Sequence, residues 1–206
     1  MKEPDKQKRS EITAYHEAGH AVAFYLLHKR FKYVTIEPEG EEWGKIIYRQ
    51  KILKLSTIPS ERELKVLNRD WMISLAGPIA ELILSRKCKF EDIIPYLGLR
   101  PNLTEHERKY GEFFWRHLFI EMKLLIYTPW NWHAVGALAD ELEKQNTIRY
   151  KEARKIIRYA IEDYQEGVRS GVHAVDSDYS DFANQVADEK AKRRQRLRAI
   201  TSKERE

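Results

Sequence analysis

The chain has 206 residues, of which 42% are hydrophobic, 33% charged and 11% aromatic, a balance that fits one folded domain with appendages and excludes a disordered polyelectrolyte. Its net charge of +5 invites a nucleic-acid role, but residues 188–206 carry eight Lys or Arg against four Asp or Glu, which leaves only +1 for the rest. A single cysteine, Cys88, rules out an internal disulfide; the longest apolar runs fall far short of the ~20 residues a bilayer-crossing helix needs, so the expectation is a reducing, cytoplasmic setting with no leader peptide and no membrane span.

Residues 11–28 read as a helix, because Ile12, Tyr15, Gly19, Val22, Tyr25 and Leu26 recur at spacings of three and four. The run Tyr33-Val34-Thr35-Ile36-Glu37-Pro38 has the β-branched content of a short strand closed by Pro38 and Gly40, and residues 43–48 supply its hairpin partner. Residues 60–85 form a long helical region holding Leu64, Leu67, Trp71, Ile73, Leu75, Ala80 and Ile83. Within it Gly77-Pro78 predicts a kink or a division into two helices, since proline removes a backbone donor.

Residues 104–127 form a further helix, entered through Thr104 with Glu107 completing a capping box, and Pro129 breaks it. Two amphipathic helices follow over residues 132–144 and 150–169, separated by the polar turn Gln145-Asn146-Thr147. Residues 183–200 read as a charged, exposed helix. The expected fold class is mainly α (α+β), with a small hairpin near the N-terminal third and a C-terminal helical bundle. Residues 1–180 make the domain and residues 181–206 a basic tail.

The chemistry lies in His16-Glu17-Ala18-Gly19-His20. Residues four apart are neighbours on a helix surface, so both imidazoles can offer a nitrogen to one tetrahedral zinc. Glu17 is turned by roughly 100° from His16 at ~3.6 residues per turn, which carries its carboxylate toward an open coordination position, where it acts as a general base on water. Zinc in such sites lowers the pKa of water to about 7 and polarises a peptide carbonyl. Ala18 and Gly19 keep the space beside the ligands clear. A catalytic zinc needs a third protein ligand, and spacing leaves Glu81, Asp92, Glu105, His106 and Glu107 all open.

The segment from Ala14 through Ala23, Ala-Tyr-His-Glu-Ala-Gly-His-Ala-Val-Ala, resembles the zinc helix of the FtsH peptidase domain, from the membrane-anchored AAA proteases, and more closely that of stand-alone M41-like relatives. Val34-Thr35-Ile36-Glu37-Pro38 with Gly40 and Gly44 is similar to that family's Thr-Ile-x-Pro-x-Gly segment, whose strand lies beside the active site and can pair with an extended substrate. Leu75-Ala76-Gly77-Pro78-Ile79-Ala80-Glu81 resembles its Ala-Glu helix, and residues 138–157 its C-terminal helical pair. The resemblance implies a zincin-like fold, Zn2+ as cofactor, and hydrolysis of peptide bonds.

It also implies a third ligand at Glu107, in Glu107-Arg108-Lys109-Tyr110-Gly111, where the family carries aspartate in an Asp-x-x-x-Ala arrangement; Glu81 then becomes a structural carboxylate. Pro78 stands where the family has arginine. The family assembles as hexamers with an ATPase ring. Here the nearest approach to a phosphate-cradling loop, Gly40-Glu41-Glu42-Trp43-Gly44-Lys45-Ile46, lacks one spacer residue and the Ser or Thr that holds magnesium. The expected activity is therefore ATP-independent, on unfolded or flexible polypeptides.

The competing reading is a binding or regulatory module with the same fold and weak or absent catalysis. It would be associated with nucleic acid if Lys190, Lys192, Arg193, Arg194, Arg196 and Arg198 touch phosphate, although with Asp188 and Glu189 nearby this run reads first as a solvated face. Trp130, Trp132 and the other tryptophans read as core or interface anchors. His28, His117, His133 and His173 fall outside any ligand spacing.

Overall fold

The first helix, α1 (Lys6–Leu26), is the one around which the others assemble. Its Ala14, Ala18, Ala21 and Val22 are completely buried; side chains this small let neighbours come close, and a helix apolar on several sides must be covered on several sides. The computed structural model describes residues 6–49, 60–86, 89–94, 105–173 and 184, and within them the side chains of all but residues 6–8, 62, 64 and 105–113. After α1 come β1 (Tyr33–Thr35), β2 (Lys45–Ile47), α2 (Glu61–Leu84), the short α3 (Phe90–Ile93), α4 (Glu105–Tyr127), α5 (Pro129–Gln145), β3 (Thr147–Arg149) and α6 (Tyr150–Arg169). The fold is mainly helical with a small antiparallel sheet in the order β2-β1-β3. Among the described residues no helix is long and apolar enough to cross a membrane.

Helix α2 crosses α1 at Gly19, where an added Cβ would stand 2.6 Å from Cβ of Ala80 and 2.7 Å from the carbonyl oxygen of Ala76. On another side α5 packs through Trp132, whose ring lies 5.5 Å from that of Tyr15. Helix α6 covers α5 with Ala153, Ile157 and Ala160. Helix α4 covers α2, Phe114 and Trp115 placing their rings 5.0 and 5.5 Å from Trp71. Trp43 and Trp130 are the tryptophans that stay exposed, at 49% and 38%, rather than joining the core.

Several expectations are corrected. Helix α1 starts at Lys6, ahead of the apolar periodicity. Helix α2 is one helix through Gly77 and Pro78 rather than divided into two, because the residues around the proline are buried and packing overrides the lost donor. It opens on a capping box between Ser60 and Glu63. Pro129 does not merely end a helix but begins α5, a position where its missing N–H costs nothing. The turn expected at residues 145–147 is shorter: Asn146 takes φ 59 and Thr147 already belongs to β3.

That unforeseen strand makes β1 the central one. Val34 pairs with Ile46 on one side and Ile148 on the other, so β1 has no free edge for an extended substrate, and among the described residues the edges of the sheet are β2 and β3. The capping box at Thr104 and Glu107 and, apart from residue 184, the helix expected over residues 183–200 lie outside the described residues.

Candidate metal centre

His16 and His20 stand one turn apart on α1, and α2 fixes both rings. Nδ1 of His20 donates to the backbone carbonyl of Ile73 at 2.7 Å. A carbonyl only accepts, so in the neutral ring Nδ1 carries the proton and Nε2 the lone pair. Nδ1 of His16 donates to Oε2 of Glu81 at 3.2 Å, which sets the same tautomer. The two Nε2 atoms then face each other at 3.2 Å.

Two lone pairs do not rest at that distance unless something positive lies between them, either a shared proton or a cation. Nitrogens bound to one tetrahedral zinc at ~2.05 Å stand about 3.3 Å apart, so both the donor set and its spacing fit that ion. Gly77 leaves room for the arrangement: a Cβ there would lie 2.3 Å from Nε2 of His20 and 2.7 Å from Cδ2 of His16.

Glu17 is only 6% exposed, and its Oε2 is buried with no hydrogen-bond partner. The chain entering β2 covers it, Gly44 coming so near that a Cβ would meet Cγ of Glu17 at 2.8 Å and Oε1 at 3.0 Å. A tight turn brings Gly44 there, with backbone bonds between Glu39 and Glu42 and Gly40 at φ 63, a left-handed conformation that glycine adopts without strain. Burial raises the Glu17 carboxyl from 4.5 to about 7, against the opposing pull of His16 and with a further push from Glu42. Burial also drives His20 down to about 3, helped by His16 and opposed by the Ile73 carbonyl. His20 is therefore a neutral imidazole near pH 7, the form that ligates metals, and Glu17 exchanges its proton in the range where a general base works.

Glu81 meets His16 at Nδ1, the nitrogen that faces away from His20. Asp92 accepts from the backbone N–H of Lys89 at 3.0 Å, at the start of α3. Glu105, His106 and Glu107 fall in the first turn of α4, and their side chains lie outside the described residues. Among the described residues no group of three or more His, Cys, Asp or Glu side chains converges as a metal cluster. His173 stacks on Tyr164 with centroids 4.8 Å apart, and His133 lies 5.5 Å from the same ring.

Spacing within α1 could not point to the Ile73 carbonyl, Gly77 or Gly44. The only trace of the second is a Gly-Pro pair inside an otherwise helical run. Compared with known protein families and with curated proteins, the sequence matches none.

Proposed function

We propose that the chain is a zinc-dependent metallopeptidase, zincin-like and similar to the FtsH peptidase domain, that hydrolyses unfolded or flexible polypeptides without an ATPase of its own. The observation that carries this reading is the facing pair of Nε2 atoms 3.2 Å apart, each with its Nδ1 engaged by an acceptor on α2. His16 and His20 would hold the ion, with Glu107 of α4 as the third ligand. Bound zinc would polarise the peptide carbonyl and acidify water.

The remaining work belongs to the chain. The Ile73 carbonyl keeps His20 in the ligating tautomer, Glu81 aims His16, and Gly77 keeps the space between them clear. Glu17, whose Oε2 has no protein partner, receives a proton from the attacking water and delivers it to the leaving amine. An extended polypeptide can add to the outer edge of β2, which no strand among the described residues covers and which begins one residue after Gly44.

The test is digestion of an unfolded protein by zinc-loaded wild type and Glu17→Gln, with and without chelator. Wild type should cut and stop cutting when chelated, whereas Glu17→Gln keeps its zinc and cuts at least ~100-fold more slowly. Equal digestion by the two proteins, or none by zinc-loaded wild type, overturns the reading. Zinc retained in full by Glu107→Gln would remove that residue from the ligand set.

A further inference from the structure

Trp43, next to the candidate centre, stays out of the core, with 49% of its surface exposed, although an indole gains much from burial. The guanidinium of Arg9 lies over its ring at 4.5 Å from the centroid, a contact that favours this orientation of the indole. Arg9, Thr13 and Glu17 form one stripe of α1 at intervals of four, and the Thr13 hydroxyl donates to the Arg9 carbonyl at 2.9 Å.

The chain entering β2 runs along that stripe. Trp43 rests on Arg9, and a Cβ on Gly44 would meet both Thr13 and Glu17 at 2.8 Å. Eight helical residues at ~1.5 Å each set Arg9 about 12 Å along the axis from Glu17, which is roughly three to four residues of extended peptide at ~3.4 Å per residue, and Trp43 is joined directly to Gly44, which abuts Glu17. Around it the turn presents carboxylates. Glu39 is paired with Lys45, while Glu41 and Glu42 are exposed.

We infer that Trp43 is a specificity subsite, whose free face receives a large aromatic or branched aliphatic side chain of a polypeptide a few residues from the bond cut, while Glu41 and Glu42 disfavour an acidic side chain there. This rests on the peptidase reading for its substrate, but it is open to a test that does not require cleavage. An apolar side chain gains by covering an indole that water now wets, and the Arg9 contact on the other face favours one orientation of that platform before the substrate arrives.

The experiment measures binding of short unstructured peptides to zinc-loaded Glu17→Gln by fluorescence anisotropy, one position at a time carrying Phe, Leu, Lys or Glu. At one position Phe or Leu should bind about 10-fold more tightly than Glu, the discrimination expected of one apolar contact. That preference should vanish when Trp43→Ala is added and survive when Trp43→Phe is added, with zinc content equal in all three proteins. In the active background, Trp43→Ala should lose the same preference through KM.

A preference that persists in Trp43→Ala, or a peptide series with no preference at any position, overturns the subsite. If Glu17→Gln shows the Trp43-dependent preference while wild type cleaves nothing, the peptidase reading fails and the binding site stands. If wild type cleaves and Trp43→Ala cleaves with unchanged selectivity, the subsite fails alone.

Discussion

Glu17 and Glu81 flank one pair of imidazoles, and their surroundings set them different tasks. Glu17 is buried with its pKa lifted from 4.5 to about 7. A group that holds its proton more tightly when folded contributes stability fully below the lower value and loses that contribution as the pH rises through the higher one. In metal-free protein, wild type should therefore lose stability against Glu17→Gln as the pH rises from 4.5 to about 7. The change is on the order of 3 kcal/mol at ~1.36 kcal/mol per pKa unit. His20, lowered to about 3, contributes the opposite slope up to its ordinary value, but it does so in both proteins and cancels in their difference. Urea denaturation of both proteins across this range reads the effect, and a difference independent of pH would contradict it. Glu81, by contrast, is 30% exposed and meets the outer nitrogen of His16. Glu81→Ala should weaken zinc binding 10- to 100-fold, the usual effect of freeing a metal-bound imidazole from its outer partner. Competition against a chelator of known affinity measures it, and an unchanged affinity would deny Glu81 any orienting role.

At the level of elements, the centre exists because α1 and α2 cross closely enough for groups on α2 to reach imidazoles on α1. Gly19 sets that distance. Gly19→Ala gains up to ~1 kcal/mol of helix propensity, but its Cβ would stand 2.7 Å from backbone oxygen of Ala76 and 2.6 Å from Cβ of Ala80, so the helices must separate. A net loss of about 1 kcal/mol or more in urea unfolding is expected, as overpacking costs ~1–3 kcal/mol, together with weaker zinc binding because Ile73, Gly77 and Glu81 move away with α2. Greater stability in Gly19→Ala would show that the crossing has slack. The same elements show what was legible in the sequence. Helix α6 falls on the expected residues 150–169 because its apolar stripe is sustained and its other face charged, whereas the start of α1 is missed because residues 6–10 carry no apolar period. A division at Pro78 is a local inference that tertiary packing overrules. Strand β3 has three residues, too few to show an alternation, and it exists by pairing with β1, where the hydroxyls of Thr35 and Thr147 meet at 2.6 Å. For the site, one helix turn made His16, Glu17 and His20 readable. Its supports lie 53 and 65 residues further along, and one of them is a main-chain carbonyl, which leaves no mark in a sequence.

For the whole molecule, the position of α1 decides how far the influence of a bound cation would extend. Buried side chains of α1 meet α2, α5 and the sheet, so a cation held by His16 and His20 on its surface would stiffen the helix on which the rest of the core is built. An ion that binds the folded chain and not the unfolded one stabilises it by RT ln(1 + [L]/Kd), about 2.7 kcal/mol at a hundredfold excess over Kd. For a chain of this size, ~2–4 °C per kcal/mol gives a rise in Tm of roughly 5–10 °C. Zinc should produce that rise in wild type and in Glu17→Gln, which keeps both imidazoles, and should produce none in His16→Ala or His20→Ala. Free histidines in the unfolded chain also take up some metal and reduce the shift, alike in wild type and Glu17→Gln and slightly less in the histidine variants, which keep six of the seven. Scanning calorimetry with matched zinc and chelator samples separates the cases: a common shift in every variant would trace to non-specific binding, while equal wild-type Tm values with zinc and with chelator would leave a shared proton, rather than a cation, between the two facing nitrogens.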